Sequence, residues 1–243
     1  MAICSHCGYE APSFATCPLC GGTGPADAGP GGVDAPGAIA PAWERDGTAF
    51  PRNLIDTWVE SLFRPDRFFR GVSWDEAAAR PILYYLIIAI IGAIFSLWWS
   101  AAFTAIGFPL GFQDPDPLLA LSPAASALIN FFAAPFVAII GLVLWSGLVH
   151  LLVIVFGRDR RGFRATMRAV CYGAGPSIFA VVPVLGAIVG FFWTLALTGI
   201  GLRHAHRMTT GAAVAVILLA LMIPLALLFG LMVIVFASVA AIA

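Results

Sequence analysis

The 243-residue chain contains no lysine: its thirteen basic side chains are all arginine, and thirteen acidic side chains cancel them. Charged residues make up only 11% of the chain and apolar residues 60%, where an ordinary soluble domain carries about 25% charged residues. That scarcity excludes a soluble globular fold, and the missing lysines exclude a lysine-rich patch for nucleic acid or an acidic partner. The first 22 residues lack an apolar run of the roughly seven residues that the centre of a signal peptide requires, so the amino terminus is expected to stay in the cytosol. Cysteine is scarce too. Of five, four fall in the first twenty residues as two Cys-x-x-Cys pairs, Cys4/Cys7 and Cys17/Cys20, which points to metal and not to a disulfide framework.

Each cysteine pair is followed by a glycine, Gly8 or Gly21, which relieves crowding where the backbone turns its amides toward the thiolates. Four sulfurs complete a tetrahedral Zn²⁺ and leave no open position, so the expected cofactor is structural zinc in a small ribbon over residues 1–22. A redox dithiol pair, or iron in the same cage, is the alternative, and His6 reads as a spacer. Residues 1–44 carry no Lys or Arg but do carry Glu10, Asp27, Asp34 and Glu44. Phosphate binding therefore lacks its main driving force, and the expected partner is a cytosolic protein, with no nucleic acid. Residues 23–50 are expected to form a flexible linker: sixteen of the twenty-one residues at 21–41 are Gly, Ala or Pro, too little apolar surface to offset the entropy of ordering.

Residues 51–80 read as juxtamembrane amphipathic helices. Leu54, Ile55, Trp58, Val59, Leu62 and Phe63 gather on one side of a helix that should end at Arg64-Pro65, and Phe68-Phe69 follow between Arg67 and Arg70. This apolar stripe beside arginines suits either the bilayer interface or packing on the protein's own loops. Ser73-Trp74-Asp75-Glu76 reads as a capping box opening the helix that enters the membrane.

Four stretches, 81–113, 117–157, 169–202 and 208–243, contain no Asp, Glu, Lys or Arg, and each exceeds the ~20 residues that cross hydrocarbon. The arginines fall in three groups, six in residues 45–80, five in 158–168 and two at Arg203 and Arg207. All three belong on the cytoplasmic side by the positive-inside rule. The third stretch must therefore cross twice or dip and return, turning at Pro183-Val184-Leu185-Gly186. The expected fold is an all-α polytopic membrane protein over residues 81–243. It has five membrane segments, the third and fourth a short hairpin, and an external carboxyl end. Ser122-Pro123 should start a helix that Pro135 kinks.

No carboxylate or arginine lies within the expected segments, so ion-coupled transport lacks a charge carrier. His150, Tyr172 and Thr194 are the intramembrane polar candidates. His150 reads first as a neutral imidazole bonded to a neighbouring helix, with Tyr172, Ser177, Thr194 and Thr198 as candidate partners. Ser146 and His150 share one helix face, so they cannot converge as nucleophile and base, and no catalytic residue is expected.

From about residue 54 to 222 the chain resembles the Yip domain of Ypt-interacting membrane proteins, in its prokaryotic form. The resemblance rests on Pro65 with Phe68-Phe69, on Leu148-Val149-His150-Leu151 leading to Phe156-Gly157, and on Gly162-Phe163-Arg164-Ala165-Thr166. It continues through Ala169-Val170-Cys171-Tyr172, Pro176, Pro183-Val184-Leu185-Gly186 and Trp193 to Gly201-Leu202-Arg203-His204-Ala205-His206. It implies five membrane segments, a cytosolic amino terminus and no catalytic centre. The Asp-Leu-Tyr-Gly-Pro element of the Rab-interacting eukaryotic members is missing, and a fused zinc ribbon looks bacterial or archaeal. The resulting expectation is a non-enzymatic membrane adaptor or scaffold in the plasma membrane, a possible homo-oligomer, presenting its ribbon to cytosolic partners. The alternative is a passive or oligomeric transporter or channel for a small solute or lipid.

Overall fold

The computed structural model describes residues 2–3, 10–11, 40–107, 123–156 and 161–242. At the amino terminus β1 (Ala2–Ile3) pairs antiparallel with β2 (Glu10–Ala11), Ala2 opposite Ala11 and Ile3 opposite Glu10. Helices follow: α1 (Arg52–Phe63), α2 (Pro65–Arg70), α3 (Ala79–Ala105), α4 (Pro123–Phe156), α5 (Phe163–Gly173), a 3-10 helix at Gly175–Val181, α6 (Leu185–Ala205) and α7 (Thr210–Ile242).

Four of these, α3, α4, α6 and α7, are long and apolar enough to cross a membrane. Their runs of Ile, Val and Phe are no obstacle there, because in lipid every backbone polar group must be satisfied inside the segment. The stretch expected to supply two short crossings forms a hairpin whose second arm, α6, is one continuous helix of 21 residues. Its first arm is α5 continued by the 3-10 helix, eleven and seven residues, about 30 Å together at ~1.5 and ~2.0 Å per residue. The turn falls where the sequence placed it, at Pro183–Val184, with Val184 at φ 62°, a left-handed conformation that β-branched residues rarely adopt.

The arginine groups meet at one end of the bundle. Arg80, at the start of α3, bonds Asp46 at 2.9 Å. Arg168 of α5 pairs with Glu44, and Arg203 near the end of α6 pairs with Asp66 of α2. At the opposite end Trp99 of α3 donates its indole N–H to the Val181 carbonyl at 2.8 Å. Trp99 lies nineteen residues beyond Arg80, or about 28 Å along the helix. The first arm of the hairpin therefore runs from the arginine-rich end to the level of Trp99.

Two expectations are corrected. Ser73–Glu76 does not cap a helix, and α3 starts at Ala79. Trp74 is instead buried and stacked on Phe69, ring centroids 6.2 Å apart, and the free energy of burying an indole exceeds that of a cap. The second correction concerns the linker over residues 23–50, whose last part is docked. Trp43 donates its backbone N–H to Thr57 Oγ1 at 2.8 Å and its indole N–H to the Arg80 carbonyl at 2.7 Å, so an ordered strap precedes α1. Pro135 sits inside a continuous α4. An external loop is expected near residues 104–133, with Asp114 and Asp116 and no base; residues 108–122 of it lie outside the described residues, and α4 already begins at Pro123.

Within a largely aliphatic core, an aromatic cluster lies at the arginine-rich end. Phe68 packs edge-on to Phe69 and to Tyr172, each at 5.2 Å, and Tyr84 lies 5.4 Å from Tyr172. Each such pair contributes about 0.5–1.5 kcal/mol beyond the area it buries. The hairpin's own packing depends on Gly186, where a side chain would collide with the Phe179 carbonyl; only glycine lets the two arms approach so closely.

Candidate functional site

α5 carries the principal polar feature. It is amphipathic, and its buried face contains Ala165, Thr166, Ala169, Cys171 and Tyr172, with Arg168 in their midst. The Arg168 side chain is 1% exposed and that of Glu44 5%. Arg168 Nη2 donates to both Glu44 oxygens, at 2.5 and 2.7 Å, and Nη1 donates to the Ala77 carbonyl at 2.7 Å. Tyr172 Oη donates to Glu44 Oε1. A charge removed from water this completely is tolerated only when paired and hydrogen-bonded. The pairing joins three separate parts of the chain: the strap, the loop before α3, and α5.

A second cluster lies beside it. His150 Nδ1 is 2.9 Å from Thr166 Oγ1, which is 2.8 Å from His206 Nε2. One hydroxyl thus bridges two imidazoles from α4 and from the end of α6. With one lone donor hydrogen, Thr166 donates to one ring and accepts from the other. A third cluster faces solvent. His204 Nε2 lies 3.1 Å from Asp66 Oδ1, which Arg203 also engages. The hydrogen bond from His204, with the charges of Arg203 and Arg70, holds the Asp66 carboxyl below the usual carboxylate range.

The intramembrane candidates therefore separate. Tyr172 belongs to the Arg168 cluster and His150 to the histidine bridge. His150 finds Thr166, a residue outside its four expected partners, of which Ser177 bonds the Ala174 carbonyl at 2.7 Å. Thr194 lies in neither cluster. Its hydroxyl is buried without a hydrogen-bond partner among the described residues, and it lines a cavity of about 450 Å³ with Tyr85, Trp145, Ser177 and Thr198. A neighbouring cavity of about 320 Å³ shares Gly92 and is lined by Ser96, Ser100 and Asn130. The Ser146 hydroxyl is likewise buried without a partner, and His150 is engaged elsewhere.

Glu44, Thr166, Arg168 and His206 are functional candidates that sequence reasoning missed. Arg168 left one signal, as the single charge on the otherwise apolar face of α5. Cys4, Cys7, Cys17 and Cys20 lie outside the described residues; among the described ones no group of three or more His, Cys, Asp or Glu could hold a metal ion.

The Yip1 domain model matches residues 59–234, well over half of the chain and a range that includes the Arg168 and His150 clusters apart from the strap. No curated protein and no solved structure matches the chain.

Proposed function

Because the chain belongs to the Yip1 domain family, a family of multi-pass membrane proteins, we propose that it is a non-enzymatic adaptor or scaffold. In this reading it presents a zinc ribbon to cytosolic protein partners, in membrane organisation or trafficking. The observation that carries the reading is the Glu44–Arg168 pair. It ties the strap directly behind the amino-terminal segment into the core of the membrane domain, so a partner held by that segment would be fixed to the bilayer at a defined point.

The arginine-rich end is cytoplasmic on this reading, by the positive-inside rule. With α5 and its 3-10 continuation taken as a crossing, the chain has five membrane segments and an external carboxyl end, in a bacterial or archaeal plasma membrane. Cys4, Cys7, Cys17 and Cys20 hold structural zinc, a metal that supplies folding free energy to a ribbon too small for a core of its own. The pairing of β1 with β2 brackets the first cysteine pair, as a ribbon requires.

Two measurements test this. Metal analysis of the purified chain should find one zinc per chain, lost in Cys4→Ser. Crosslinking from native membranes should capture a cytosolic protein with the full chain, and not with Cys4→Ser or with residues 1–39 removed, a truncation that leaves the strap intact. Identical crosslinks from all three would refute the adaptor reading.

A second reading, a passive or oligomeric transporter for a small solute or lipid, is favoured by the cavity at the hairpin. Its volume lies within the ~300–1,000 Å³ of ligand sites, and it combines apolar walls with few polar groups, as such sites do. Flux in liposomes that vanishes in Thr194→Leu but survives Cys4→Ser would favour it over the adaptor.

A further inference from the structure

α1 is buried on one side, carries an apolar stripe on the flank beside it, and turns Asp56 and Glu60 away from the core. Leu54, Thr57, Ser61 and Leu62 are buried, and between them Trp58 donates its indole N–H to the Gly175 carbonyl at 2.9 Å and lies edge-on to Phe179 at 6.3 Å. That face is occupied by the protein. Ile55, Val59 and Phe63, spaced by four residues, form a second stripe; they are 52%, 40% and 74% exposed, and Phe50 before the helix is 67% exposed. Three large apolar groups exposed along one flank of a twelve-residue helix, with a fourth just before it, are unusual unless something apolar covers them.

The depth of the helix identifies the cover. Trp58 and Ser61 of α1 and Tyr84 of α3 converge on Gly175: a side chain there would lie 3.0 Å from Tyr84 Oη, 3.3 Å from Trp58 Cδ1 and 3.4 Å from Ser61 Oγ. Tyr84 is four residues beyond Arg80, about 6 Å along α3. Arg80, with Asp46 and the strap, marks the polar boundary. α1, bonded to the strap through Thr57 and packed beside the Tyr84 hydroxyl, therefore lies at that boundary, where interfacial helices lie. The next outward-facing residue of α3, Leu83, is itself 51% exposed and belongs to the lipid-facing surface, so the stripe of α1 continues that surface. Charge agrees with this placement. Arg52 and Arg64 sit at the two ends of α1 and Arg67 follows in α2, all exposed, where guanidinium groups can reach phosphates while their stems lie along the apolar layer. Arg52 also pairs with Asp56 at 3.6 Å, and Glu60 offsets Arg64, so residues 52–64 carry no net charge and the cover is apolar first.

We infer that α1 is an interfacial helix whose outer stripe of Ile55, Val59 and Phe63 is covered by the headgroup–acyl boundary of the bilayer. The two readings left open by the sequence, packing and interface, then hold together on adjacent faces of one helix. This inference is independent of the adaptor reading, since partner capture can fail while it stands.

The test uses the full chain in phosphatidylcholine–phosphatidylglycerol vesicles. A fluorophore that reports polarity is attached through p-acetylphenylalanine at position 59, with position 46 as the exposed control. At 59, lipid brominated near the top of its acyl chains should quench emission at least twofold, and aqueous iodide should quench at least fivefold less than at 46. Equal iodide quenching at both positions would place the stripe in water and overturn the inference. Bromolipid quenching at 59 that disappears as the protein-to-lipid ratio rises would assign the stripe to a second copy and also overturn it. A second variant, Ile55→Asp/Val59→Asp/Phe63→Ser, touches only exposed groups. It should melt like the parent in detergent, yet be cut by trypsin after Arg52, at the start of α1, at least tenfold faster in vesicles. Unchanged cleavage would count against the inference.

Discussion

Replacing Glu44 by alanine would leave Arg168 charged, buried and unable to follow. Its guanidinium is fixed on α5, 1% exposed, and its remaining contact is the Ala77 carbonyl; the Tyr172 hydroxyl loses its acceptor as well. Breaking a buried pair from one side costs about 3–5 kcal/mol, and for a chain of this size each kcal/mol moves the melting temperature by about 2–4 °C. Glu44→Ala should therefore melt roughly 6–20 °C below the parent in detergent. The reverse change, Arg168→Met, should cost less, because Glu44 sits on a strap that can swing out and regain water. Arg168→Met/Glu44→Ala should recover much of the loss, since no charge remains buried. Differential scanning fluorimetry on the four proteins completes the double-mutant cycle. A shift for Glu44→Ala of the size of a surface pair, below about 1 kcal/mol, or a double variant worse than both single ones, would refute the reasoning.

Three more outcomes are expected. Gly186→Ala, which drives a methyl into the Phe179 carbonyl, should cost about 1–3 kcal/mol or more. Gly211→Ala, with open space around it, should be neutral or raise stability by about 0.5–1 kcal/mol; thermal melts of both check the contrast. Thr166→Val removes the hydroxyl between His150 and His206 and should cost about 1–3 kcal/mol, whereas Thr166→Ser should retain most of the stability in the same assay. Asp66, held below its usual range, stabilises the fold at pH above its unfolded value near ~4. That contribution is lost as pH falls through the depressed folded-state value. Melting followed from pH 7 to 3 should show a drop in the parent that is shallower in Asp66→Asn. The difference should stay within about 1 kcal/mol, because the pair is partly exposed; equal slopes would show that the pair contributes nothing.

The long helices were legible because a run without charges is nearly sufficient to define a helix that crosses lipid, and α3, α4, α6 and α7 each occupy one such run. The hairpin turn at Pro183–Val184 and the gathering of arginines at one end were legible for a related reason: charge and proline act locally and strongly. What escaped was set by distance along the chain. Glu44 and Arg168 are 124 residues apart, and nothing in the composition of the strap marks Glu44 as buried. The same holds for Thr166 and His206, which meet only because the start of α5 lies beside the end of α6. The supposed capping box failed differently. Its spacing was right, but a tryptophan within it had a better use in the core.

The carboxyl half of α7 stands apart from everything described above. Side chains in the first third of the helix, Ala213, Val216, Ile217 and Ala220, are buried against α4 and α6. Beyond Pro224, in contrast, Leu227, Leu228, Phe229, Leu231 and Phe236 are exposed around the whole circumference. Among the described residues such a pole is anchored at its foot and unsupported above, with a proline at the junction where one backbone hydrogen bond is missing. Bilayer thickness can then set its lean without disturbing the charged foundation, so a thinner or thicker membrane should tilt this mast and leave the remainder of the molecule upright.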